Sequence, residues 1–136
     1  MRNMPAHSIL TVTLFLLAAT AAQAADTAPV TVTPVLQHAL AGIEGKEVAM
    51  VTVSYPPGTE SAAHRHEANV FVYVLEGSVV MQVAGGKPVT LSAGQTFYEA
   101  PTDIHAVSKN ASSTQPAKIL AVLVKDVGKP ATVPVK

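Results

Sequence analysis

His64 and His66 stand two residues apart within residues 58–77, GTESAAHRHEANVFVYVLEG. In an extended chain residues i and i+2 project from the same face, so the two imidazoles converge. Imidazole nitrogen suits divalent transition ions, but a pair of them needs a third ligand to hold one. His105 can supply it, because it follows the turn Pro101-Thr102-Asp103 and opens another extended run. His7 falls in an apolar leader, and His38 stands alone, where an exposed and idle side chain is the simpler reading. The expectation is one divalent transition metal on His64, His66 and His105. Three neutral imidazoles do not choose among Fe, Mn, Zn, Ni, Co and Cu.

The elements that must position these histidines read as strands. Residues 70–75 (VFVYVL) are β-branched or aromatic and end in Glu76-Gly77, a turn signal. Residues 46–55 (KEVAMVTVSY) alternate, with Ala49, Val51, Val53 and Tyr55 on one face, and Pro56-Pro57-Gly58 stops them. Further strands are expected at residues 78–83, 88–91, 95–99, 104–108 and 117–124, separated by Gly, Pro, Ser and Asp turns. Residues 28–36 (APVTVTPVL) carry two prolines and read as an edge strand or extended arm. Residues 37–45 lack a decisive period and accommodate a helical turn closed by Gly42 or Gly45. Many short, evenly spaced strands with no convincing helix predict an all-β sandwich or barrel.

Arg2, the apolar run at residues 9–19 and the small-x-small triplet Ala22-Gln23-Ala24 form the pattern of a secretory signal peptide. The run is too short to span a bilayer comfortably. The organisation expected is therefore a signal peptide at 1–24, an N-terminal arm or edge strand at 25–45, a barrel at 46–126 and a C-terminal tail at 127–136. The mature protein is expected in the periplasm or secreted, with no membrane attachment after cleavage. The 136 residues contain no cysteine, so no disulfide supports the fold in that oxidising setting. Nine Lys+Arg balance nine Asp+Glu without a basic cluster, which argues against a nucleic-acid partner.

Residues 70–75 and most of 119–124 are apolar at successive positions, whereas a half-exposed antiparallel strand alternates apolar with polar. Something must cover the outer face of one sheet: the N-terminal arm or a second subunit. So small a chain has little else to cover it with, which favours a homodimer.

Taken together, these residues resemble the single-domain cupins, whose fold is a double-stranded β-helix or jelly-roll barrel. The first motif of that family is Gly-x5-His-x-His-x3–4-Glu-x6-Gly, and Gly58, His64, His66 and Gly77 match it in spacing. The second is Gly-x5-Pro-x-Gly-x2-His-x3-Asn, matched by Gly94 and His105, with Pro101 one place late and Asn110 one place late. The resemblance spans residues 46–124. It departs at one telling position, because the glutamate of the first motif falls on Val70. By resemblance the site is three histidines without the usual carboxylate, an arrangement some cupin oxygenases use for iron. Three neutral ligands leave a divalent ion its full charge, favouring anionic ligands in the open positions.

Other carboxylates lie near in sequence. Glu67 is out of register with the histidines, Glu60 lies in the preceding loop, and Glu99 is near enough to orient an imidazole N–H. A solvated surface carboxylate is the simpler reading of each. Tyr55, Phe97 and Tyr98 are expected in the core or cavity wall, and Asn110-Ala111-Ser112 reads as a glycosylation sequon. The resemblance implies a metal-dependent enzyme of the dioxygenase or oxidoreductase type acting on a small, anionic organic substrate. The alternative is a non-catalytic small-molecule or sugar-binding cupin with a degenerate metal site.

Overall fold

The computed structural model describes residues 28–135; the leader expected at residues 1–24 lies outside the described residues. Ten strands account for the ordered elements: β1 (Thr31–Ala39), β2 (Lys46–Tyr55), β3 (His64–Arg65), β4 (Ala68–Glu76), β5 (Ser78–Val83), β6 (Val89–Ser92), β7 (Thr96–Glu99), β8 (Ile104–Asn110), β9 (Ala117–Asp126) and β10 (Val133–Pro134). No helix occurs among the described residues. The strands form two antiparallel sheets, β1-β2-β9-β4-β7 and β10-β3-β8-β5-β6, the arrangement of a double-stranded β-helix.

The core follows from two-residue alternation. On β4, Ala68, Val70, Val72 and Val74 are buried, while Phe71, Tyr73 and Leu75 face outward. On β9, Ala117, Ile119, Ala121 and Leu123 are buried in the same rhythm. Val79, Met81 and Leu91 of the second sheet close over them. The runs that are apolar at successive positions thus split into a valine-rich inner face and an aromatic outer one.

Among the described residues nothing covers the outer face. β1 pairs along β2 and extends the sheet at its edge, so it does not lie across the aromatic face. Register links Leu36, Met50, Val122, Phe71 and Tyr98 in one row across all five strands. Phe71 is 50% and Tyr98 51% exposed, with their rings 5.4 Å apart.

Residues 37–45 contain no helical turn. Gln37 and His38 continue β1 opposite Ala49 and Val48, because ladder pairing with β2 outweighs an indecisive local pattern. Asn110, at the end of β8, is buried rather than available as a sequon. Its Nδ2 donates to the carbonyls of Tyr55, Pro56 and Gln115, and its Oδ1 accepts from the Ser112 N–H. These bonds fasten the strand that carries His105 to the end of β2. Gly77 has φ +68, and a Cβ there would run into the Pro116 carbonyl, which accounts for glycine at that motif position.

Candidate metal centre

His64 on β3 lies directly opposite His105 on β8. His66 follows two residues after His64, as β3 ends, and completes the group. The ring centroids of His64 lie 4.8 Å from those of His66 and 5.1 Å from those of His105, and one ligand nitrogen from each ring falls within 4.8 Å of the others. The three residues singled out from their spacing are therefore brought together.

Two of the rings have their tautomer set by backbone. His64 Nδ1 lies 2.8 Å from the Ala62 carbonyl and His66 Nδ1 lies 2.5 Å from the Ala131 carbonyl. A carbonyl oxygen only accepts, so both Nδ1 atoms carry the proton and both Nε2 atoms keep a lone pair for a metal. Holding the far nitrogen in this way orients a ligand ring. Ala131 belongs to the segment after β9, residues 127–135, which returns so that β10 pairs with β3. Nothing in the composition of that segment marked it as part of the site.

The larger surprise is Glu99, the last residue of β7. It is 1% exposed, not a solvated surface carboxylate. Its Oε2 lies 3.2 Å from His105 Nδ1 and 3.9 Å from His66 Nε2. Glu60 and Glu67 are exposed, as expected. Tyr98, beside Glu99 on β7, faces outward and donates its hydroxyl to Asn69 Oδ1, so it contributes nothing to the cavity. Phe97 stacks against the His105 ring at 6.1 Å, and buried Tyr55 shares a 2.5 Å hydroxyl contact with Ser108.

Burial dominates the electrostatics. It pushes the Glu99 carboxyl up to about 7, with the charge of Asp103 adding to the effect. It pulls His105 down to about 4, aided by the neighbouring His64 and His66. His66 is lowered by burial too, partly offset by its bond to Ala131. In the protein alone, then, desolvation keeps His66 and His105 neutral and leaves Glu99 protonated only below about pH 7.

Glu99 Oε2, His105 Nδ1 and His105 Nε2 are buried without a hydrogen-bond partner. Such groups are costly to leave unmet, and a divalent cation shared by Glu99 Oε2 and one His105 nitrogen meets two of them at once. The donor set, imidazole nitrogen with a nearby carboxylate oxygen, is that of Zn, Fe, Mn, Co, Ni or Cu sites. The residues present fit a metal. They line a cavity of ≈ 330 Å³ whose wall includes Val53, Val72, Ile119, Ala121 and Leu123. Among the described residues no lysine or arginine lines it.

Residues 51–123 match the family model described as a cupin domain. The chain is a cupin. No curated protein sequence matches it. Among solved structures, this cupin is similar to a Klebsiella pneumoniae protein with a double-stranded β-helix domain, at 19% identity and TM-score 0.62 over 79% of this chain and 86% of that one. It is also similar to a predicted oxalate decarboxylase from Thermotoga maritima, at 22% identity and TM-score 0.50 over 69% and 93% of the two chains. An oxalate oxidase shares 24% identity and a TM-score of 0.54, over 65% of this chain and 46% of that one. At these identities the likenesses speak for the fold.

Proposed function

We propose that this cupin holds one divalent transition metal on His64, His66 and His105 and is an exported enzyme, of the dioxygenase or oxidoreductase type, acting on a small organic anion. The observation that carries the reading is the placement of the donors. They line an apolar cavity, not a closed polar shell, so a ligand held in the cavity lies beside a metal there. The predicted oxalate decarboxylase and the oxalate oxidase among the similar structures support a small carboxylate as the kind of substrate.

A bound metal of this class supplies Lewis acidity and, for iron or manganese, redox chemistry. The protein's own residues do the rest. The Ala62 and Ala131 carbonyls fix the rings of His64 and His66. The valine, isoleucine and leucine walls exclude water from a bound substrate and strengthen the charge interactions inside. With no lysine or arginine on the wall, an anionic substrate has only the metal as its positive partner, which ties substrate binding to metal occupancy.

The test is elemental mass spectrometry on tag-free protein beside a His64→Ala/His66→Ala control. Oxygen uptake is then followed with small dicarboxylates and enolisable acids. One equivalent of metal lost in the control, with turnover of such an acid, is the expected outcome. A metal-free protein that binds a sugar or other neutral ligand as well as the control does would replace the enzyme with a binding module.

The bare aromatic row on the first sheet supports a homodimer, in which two copies of the Leu36-to-Tyr98 row cover one another. Phe71→Lys should then convert a dimer to a monomer in light scattering, and an unchanged mass would remove the row from the interface.

A further inference from the structure

We infer that Glu99 is a fourth protein ligand to the metal, supplying from β7 the carboxylate that the cupin pattern places on β4. This rests on the three-histidine reading above and deepens it. Val70, where the pattern has its glutamate, lies directly opposite Glu99 in the β4–β7 ladder. Side chains directly opposite one another in an antiparallel pair share a face, with Cβ atoms about 5 Å apart. Val70 and Glu99 are both 1% exposed, so both point inward at the same level of the barrel. The carboxylate has moved one strand sideways, a step shorter than its own side chain can span.

One distance matches the role, and the other needs the side chains to close by about 0.5 Å. Ligand atoms held about 2.1 Å from one ion lie about 3.0 Å apart at a right angle and about 3.4 Å apart at a tetrahedral one. Glu99 Oε2 is 3.2 Å from His105 Nδ1 and 3.9 Å from His66 Nε2. A hydrogen bond from His105 to Glu99 is the competing account. The contact does not make one, because Oε2 and Nδ1 approach to 3.2 Å and neither finds a hydrogen-bond partner. Among the described residues no lysine or arginine pairs with Glu99; its cationic partners within 4 Å are histidines. An oxygen and nitrogens that crowd together without bonding are arranged around a shared cation. The assignment also revises the charge of the site: one ionised carboxylate reduces a divalent ion to a net +1, as the family glutamate does.

The experiment compares full-length wild type, Glu99→Gln, and the exchange Val70→Glu/Glu99→Val. Zn(II) affinity is measured by chelator competition and the Co(II) absorption spectrum is recorded for each. Glu99→Gln keeps the shape and removes the charge. It is expected to weaken Zn(II) by about 100-fold or more and to change the Co(II) d–d bands, since a donor atom is lost. The exchange is expected to recover most of the affinity by returning the carboxylate to β4. Circular dichroism confirms that each variant is folded. Equal affinity and an unchanged Co(II) spectrum in Glu99→Gln would overturn the assignment while leaving the three-histidine site intact. Weakened affinity with an unchanged spectrum would also overturn it, making Glu99 a positioning residue for His105. A folded exchange variant as weak as Glu99→Gln would overturn the sideways move. A wild type that binds neither ion would remove the three-histidine reading itself.

Discussion

Two carboxylates are buried in this barrel, and they live in opposite circumstances. Glu47 on β2 accepts from Lys125 Nζ across the ladder to β9, and its other oxygen accepts from Gln37 Nε2 at 2.9 Å. Lys125 also donates to the Lys129 carbonyl at 2.6 Å. Every charge in that cluster has a partner made of protein. Gln37 and Lys125 accordingly hold the Glu47 carboxyl below the usual range, in that order of effect. Glu99 has imidazole nitrogens in reach but no hydrogen bond on Oε2, and its carboxyl is pushed up to about 7. The first cluster is complete when the chain folds. The second is complete only with a cation. Buried polar groups that satisfy one another serve the fold, and those that do not mark the place where a ligand belongs.

The sharpest test of that contrast is metal removal. A metal that binds only the folded state at 100 times its dissociation constant adds about 2.7 kcal/mol. In a domain this small that raises Tm by about 10 °C or more. Calorimetry should show that rise on adding metal to stripped wild type and none in His64→Ala/His66→Ala. Lys125→Met should do the reverse. It strands Glu47 in the interior, so Tm falls clearly below that of an exposed control such as Lys87→Met, while metal affinity stays within a few-fold of wild type. A Lys125→Met protein with weakened metal binding would break the separation between the two clusters.

The contrast also shows what could be read from the sequence. The three histidines were legible because strand parity joins His64 to His66 and a turn precedes His105, all local relations. Most strand positions were legible for the same reason, from alternation and Gly or Pro turns. Glu99 was not, because its role depends on pairing with Val70, 29 residues away in sequence, and register between distant strands has no local signature. Counting from His66 puts the missing glutamate at Val70, which lies on β4; only the ladder shows another carboxylate beside it. Ala131 was hidden for a different reason, since it acts through its backbone carbonyl, which every residue possesses. Gln37 misled because the turns that Gly42 and Gly45 close begin only after β1, at Leu40, whereas its own side chain helps hold Glu47.

The smallest expected effect separates the two carboxylates by the sign of their pH response. Glu47 has a lowered folded-state pKa, so its contribution is present above the ordinary carboxylate value and is lost as pH falls through the folded value. Glu99 is raised to about 7, so its contribution in the stripped protein is full below the ordinary value and is lost as pH rises through about 7. His105, lowered to about 4, contributes stability above the ordinary histidine value that is lost as pH falls toward 4, opposing Glu99 in that range. Unfolded histidine is still half protonated at about pH 6.5, so His105, and His66, which burial also lowers, oppose Glu99 until that protonation is gone. Between pH 6.5 and 8 stripped wild type should therefore lose stability relative to Glu99→Gln, by about 1 kcal/mol or less. Denaturant titrations across that interval should show the Glu99→Gln curve rising away from wild type, while Glu47→Gln retains the wild-type slope. Parallel curves for wild type and Glu99→Gln would mean that Glu99 does not titrate there and is ionised in the folded protein before any metal arrives.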